Sequence, residues 1–160
     1  MMPRTLKKLA AWFSFAQSGG RPTNRNPVRI LAVMPNNSDG VALSQIAKRA
    51  QWHFELTESC ESAIDKLSDQ NFAIVLCDRD VPGSNWRDAV QTLAAKAPRT
   101  CVILTSPVND DYLWQEVIER GGYDVLTKPF QEERVVRAVR FAWSCWKSDL
   151  TRAQAQRTQA

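Results

Sequence analysis

The sequence predicts an α/β fold, a doubly wound sheet of five parallel strands with helices on both faces. Three observations point there. Runs of apolar, often β-branched residues at 28–34 (uncharged after Arg29), 72–77 and 101–105 look like strands buried on both faces. Segments with apolar residues at helical spacing stand between the strands, as alternating β and α units require. The connections after the strands are short, and only five units are present, whereas a closed barrel needs eight.

The elements follow in order. Residues 28–34 form the first strand. Ser38, Asp39 and Gly40 are expected to cap a helix carrying Val41, Leu43, Ile46 and Ala50 inward. His53–Thr57 is a brief strand, and Ser59 opens a helix with Ala63, Ile64 and Leu67 on one face. Residues 72–77 form the third strand, and 86–97 a helix with Ala89, Val90 and Leu93 inward. Residues 101–105 form the fourth strand, after which Asn109 or Asp110 caps a helix carrying Leu113, Val117 and Ile118. Residues 123–126 are the last strand and 132–146 the last helix. Right-handed crossovers then cover both faces of the sheet.

Length and composition bound the function. A chain of 160 residues, 44% hydrophobic and 24% charged, has the makings of one globular domain with short ends. No stretch reaches the roughly 18 apolar residues a membrane span needs. The net charge of +4 hints at an anionic partner. Its distribution argues otherwise: Arg4, Lys7, Lys8, Arg21 and Arg25 precede the first strand without an acid, and Lys147, Arg152 and Arg157 outnumber Asp149 at the other end. The body between is mildly acidic, which disfavours a nucleic-acid groove there.

The organisation expected is a basic flexible leader over 1–27, a domain over 28–148 and a frayed tail over 149–160. The leader has basic residues before a short apolar run, like a secretion signal, but the run is short and broken by Ser14. A solvated leader and an amphipathic helix on a membrane or partner are the other readings. Cys60, Cys77, Cys101 and Cys145 lie far apart in sequence beside a single histidine, His53, so no zinc site is expected. Cys77 and Cys101 sit in apolar runs and read as reduced core thiols, in keeping with a cytoplasmic location.

In a doubly wound sheet, chemistry gathers at the carboxyl ends of the strands. Asp78 and Asp80 follow the third strand, Thr105 and Ser106 the fourth, and Lys128, Pro129 and Phe130 the fifth. A carboxylate, a hydroxyl and an ammonium converging there can pass a phosphoryl group: the carboxylate attacks while the other two neutralise the phosphoryl oxygens. No phosphate loop, nucleophile elbow or dinucleotide fingerprint is present, and no enzyme activity beyond self-phosphotransfer onto Asp78 is expected.

With D-x-D-V-P-G at 78–83, T-S at 105–106 and G-G-Y-D-V-L-T-K-P-F at 121–130, the sequence resembles the receiver domain of two-component response regulators over about 28–146. The resemblance implies a flavodoxin-like sheet with strand order 2-1-3-4-5. It implies that Asp78 is the phosphoacceptor, Thr105 the switch hydroxyl and Lys128 the phosphate-binding lysine. It makes Pro129 the candidate for a cis peptide bond.

Two departures stand out. Receivers place an acidic pair directly after the first strand to hold Mg²⁺, and here Met34 and Pro35 stand in that region. A thioether and a proline ring offer no hard anionic oxygen, so Mg²⁺ binding is expected to be weakened and no cofactor is assigned. Asp80 is a metal-neighbouring acid that could compensate in part, whereas Asp39 lies too far into the helix start to be assigned as a ligand. The switch aromatic of the family is replaced by Val125, with Tyr123 two residues earlier and expected on the same face.

The resemblance further implies a histidine kinase or another signalling protein as partner. It also implies a face built from the fourth helix, fifth strand and fifth helix, where Trp114, Tyr123, Val125, Trp143 and Trp146 are candidates for a docking or homodimer surface. The length leaves no room for a DNA-binding domain of ordinary size after the last helix. The expected function is therefore a stand-alone receiver in phosphorelay signalling that acts by docking. The alternatives are a phosphorylation-independent interaction module, or an adaptor that reaches membrane or nucleic acid through its basic leader.

Overall fold

The computed structural model describes residues 27–158, so the leader assigned to 1–27 lies outside the described residues except for Pro27. The elements are β1 (Arg29–Val33), α1 (Asn37–Ala50), β2 (His53–Thr57), α2 (Cys60–Asp69), β3 (Ile74–Asp78), α3 (Trp86–Lys96), β4 (Cys101–Ser106), α4 (Asp111–Glu119), β5 (Asp124–Thr127) and α5 (Glu132–Thr158). The strands form one parallel sheet in the order β2-β1-β3-β4-β5, as the sequence predicts.

The apolar runs are continuous because alternate residues feed two cores. Ile30, Ala32, Ile74, Leu76, Ile103 and Leu126 pack under α1 and α5, against Leu43, Ile46, Val135 and Val139. Leu31, Val33, Val75, Cys77, Val102, Leu104 and Val125 face the other way, against Ala63 of α2, Val90 and Leu93 of α3, and Val117 of α4. Every residue of β3 and β4 is buried. Edge strand β2 keeps its polar residues: exposed His53 bonds Glu55 at 2.9 Å, and Lys66 reaches the other Glu55 oxygen at 2.8 Å. Charge on an edge suits a strand with no further neighbour.

Three local expectations need correction. Helix α1 begins earlier than the expected cap at Ser38-Asp39-Gly40: Asn36 caps it, its side-chain oxygen accepting the Ser38 N–H at 2.9 Å. The inward face also differs: Leu43, Ile46 and Ala47 are buried, but Val41, two residues from Leu43 and so on the opposite side of the helix, is 55% exposed. Helix α5 does not stop at Trp146 but continues to Thr158, with residues after 150 exposed apart from half-buried Ala153. The polar tail lacks a core to pack on, yet it contains no proline or glycine to break the helix. Finally, β5 starts at Asp124, so Tyr123 precedes the regular pleat. Tyr123 packs under α5, while Val125 packs on the opposite face beside α3 and α4.

Candidate functional site

The register of the sheet assembles the site. Asp78, the last residue of β3, is the lateral partner of Thr105 in β4, and Ser106 is the partner of Thr127 in β5. Lys128 therefore leaves the sheet beside the same carboxyl edge, its N–H donating to the Ser106 carbonyl at 2.9 Å. The Lys128–Pro129 peptide bond that follows is cis. Gly122 allows β5 to arrive there: a Cβ on it would lie 2.4 Å from Val117 Cγ1 and 2.9 Å from the Val117 carbonyl oxygen.

Asp78 is 2% exposed and fully engaged. Its Oδ1 accepts the backbone N–H of Asp80 at 2.8 Å, and its Oδ2 accepts Lys128 Nζ at 2.7 Å. The same ammonium donates to Asp39 Oδ2 at 3.0 Å. Burial alone would lower the Lys128 pKa, but its hydrogen bonds to Asp78 and Asp39, with their charges, outweigh burial and hold it above the ordinary lysine value. Thr105 is completely buried, and its hydroxyl points to Met34 Sδ at 4.0 Å. Met34, itself 4% exposed, lies just past the end of β1.

The sequence profile of the response regulator receiver domain matches residues 38–140. The chain belongs to the response regulator receiver family. The sensory transduction protein LytT of Bacillus subtilis is 33% identical over 101 residues, covering 61% of this chain and 41% of LytT. The chemotaxis protein CheY of Listeria monocytogenes is 29% identical over 89 residues, covering 54% of this chain and 75% of CheY. Among solved structures, the signal receiver domain of an HD domain-containing protein from Pseudomonas fluorescens superposes with a TM-score of 0.73 at 21% identity. That superposition covers 84% of this chain and 98% of the other. Receivers are signalling modules of two-component systems rather than classical enzymes.

Among the sequence-predicted site residues, this receiver brings Asp78, Thr105, Lys128 and Met34 together at one edge. Asp80 contributes its backbone N–H while its side chain remains exposed. Asp39, which the sequence reading set aside as a ligand, is part of the site through Lys128. Asp39 stands in the first turn of α1, at the carboxyl edge of the sheet, where it meets Lys128. The readable signal was its position: a start of α1 at either Asn36 or Ser38 keeps Asp39 in the first turn, just past the end of β1. Among the described residues, no three His, Cys, Asp or Glu side chains are grouped as a metal ion would require.

The expected docking face is corrected in part. Tyr123 is 3% and Val125 7% exposed, so neither presents a surface. Trp114 is partly buried against the α3–α4 core, and its indole N–H donates to Asp124 Oδ1 at 3.2 Å. Trp143 and Trp146 pack against the opposite core. They line a groove of about 660 Å³ with Arg29, His53 and Lys147, at the amino-terminal edge of the strands and away from Asp78. Lys147 lies over the Trp143 ring at 3.8 Å. No helix among the described residues is long and apolar enough to cross a membrane.

Proposed function

We propose that this receiver passes signals by docking to a histidine kinase or another signalling protein. In this reading Asp78 occupies the phosphoacceptor position, Thr105 is the switch hydroxyl and Lys128 is the phosphate-binding cation. The observation that carries it is the Lys128 ammonium, 2.7 Å from Asp78 Oδ2 in a pocket that buries the carboxylate. A carboxylate oxygen that attacks phosphorus gains a dianionic group beside it. The ammonium is already in place to neutralise that charge, and Thr105 lies on the neighbouring strand.

The donor set does not suit Mg²⁺. This hard cation favours carboxylate and water oxygens in an octahedron, whereas the end of β1 offers Met34 and Pro35, and Lys128 binds both nearby carboxylates. Phosphotransfer to Asp78 is accordingly expected to be slow and nearly indifferent to Mg²⁺. The test uses acetyl phosphate with and without Mg²⁺, followed by intact mass. A single hydroxylamine-labile phosphate that is absent from Asp78→Asn supports the reading.

A second reading, docking independent of phosphorylation, is favoured by the Thr105–Met34 contact, which already occupies the switch hydroxyl. Absence of any adduct on folded protein, together with partner binding unchanged by Asp78→Asn, would select it.

A further inference from the structure

The groove at the amino-terminal edge of the strands takes no part in the site above. Its ionisable lining is of one kind: Arg29 opens β1, His53 opens β2 and Lys147 stands on α5. Among the described residues no carboxylate lines it, although the body of the domain is mildly acidic. Glu55 of β2 stands outside the lining and is already shared. Its Oε1 meets His53 at 2.9 Å and its Oε2 meets Lys66 at 2.8 Å, whereas Arg29 is 3.9 Å away. Arg29 is held instead by Gln70, whose Oε1 accepts from its Nη2, and by the Phe72 ring, 4.9 Å from the guanidinium carbon. A neutral amide and a ring fix the guanidinium without cancelling its charge, and its other N–H groups stay available to a planar anion.

The apolar part of the groove is aromatic. Trp143 and Trp146 are three residues apart on α5, so their indoles share one side of the helix. Both pack only partly on the core. Lys147 lies over the Trp143 ring at 3.8 Å, which brings its ammonium to the edge of the same surface. The volume of about 660 Å³ falls within the roughly 300–1,000 Å³ of small-molecule sites.

We propose that this groove binds a small planar aromatic carboxylate, its ring against Trp143 and Trp146 and its carboxylate paired with Arg29 and Lys147. A ring on indole faces and a flat anion on a guanidinium fork match the two halves of the lining. Charge also separates this occupant from the chain's own leader. Residues 1–26 lead to Pro27 in the lining, but they hold Arg4, Lys7, Lys8, Arg21 and Arg25 and no acid, so they would bring like charge to Arg29 and Lys147.

The test titrates naphthalene-2-carboxylate, its neutral amide and the matching naphthylmethylammonium into the full-length chain labelled with nitrogen-15. The tryptophan indole N–H signals are followed, assigned by single Trp→Phe variants. The carboxylate should move the Trp143 and Trp146 signals, the amide should bind about tenfold less tightly, and the cation should not bind. Arg29→Gln and Lys147→Gln lie on the surface and should each weaken the carboxylate about threefold, the pair together bringing it to the affinity of the amide. Trp146→Ala should weaken carboxylate and amide alike. Equal binding of all three probes, or carboxylate affinity unchanged in the Arg29→Gln/Lys147→Gln chain, overturns the proposal. So does a carboxylate that leaves Trp143 and Trp146 unmoved. If the parent chain fails to bind and Trp12→Ser/Phe13→Ser gains binding, the groove belongs to the leader and the proposal falls.

Discussion

Lys128 sets the charge balance of the pocket, because one ammonium satisfies two carboxylates, one of them 2% exposed. Lys128→Met removes that partner and leaves a buried negative charge with only the Asp80 N–H. The expected cost is about 3 kcal/mol of unfolding free energy, measured by urea denaturation. Lys128→Met combined with Asp78→Asn should recover much of it, and the double-mutant cycle reads the coupling directly. The pH dependence has a definite sign. The folded pKa of Lys128 lies above its unfolded value, so its contribution is fully present below the ordinary lysine pKa and fades only as pH rises through the raised one. Urea midpoints attributable to this residue should therefore be level from neutral pH upward until the alkaline range. At Cys60 the expectation is different: its alkylation by iodoacetamide should rise with a midpoint near pH 6, while buried Cys77 stays unreactive in the folded state.

At the scale of elements, the approach of β5 to the site depends on a tight passage from α4. Gly121 has φ of +92°, and Gly122 lies against Val117 with no room for a methyl group. Gly122→Ala forces the α4–β5 packing apart and is expected to cost about 1–3 kcal/mol, seen as a lower urea midpoint with an unchanged slope. The same segment shows where reading by period stops. Alternation along 123–126 puts Tyr123 and Val125 on one face, but that inference holds only inside a strand. The strand begins at Asp124, so Tyr123 escapes the pleat and joins the other core. Helix α1 gives the complementary case: local capping chemistry allowed either Asn36 or Ser38 to start it. In the fold Asn36 is the cap, Leu43 and Ile46 pack on the sheet, and Asp39 lies in the first turn beside Lys128.

For the whole molecule, the described residues divide into one sheet with α1 and α5 on one side and α2, α3 and α4 on the other. The last part of α5 extends past both cores. Removing residues 151–160 should leave the unfolding free energy, measured by urea denaturation, within about 0.5 kcal/mol of the parent, since residues 151–158 belong to neither core.

The sequence by itself determined the five strands, their alternation with helices and the receiver family, because continuous apolar runs and helical spacing are local properties of the chain. Through the family resemblance it also named Asp78, Thr105 and Lys128, which lie at or just past the ends of apolar runs. Only the tertiary structure decided that Asp39 shares Lys128 with Asp78, and that Met34 meets Thr105. Each of those contacts joins residues from different elements. Their meeting depends on strand register and helix start, which a one-residue shift would change, and no local pattern in the chain carries that information.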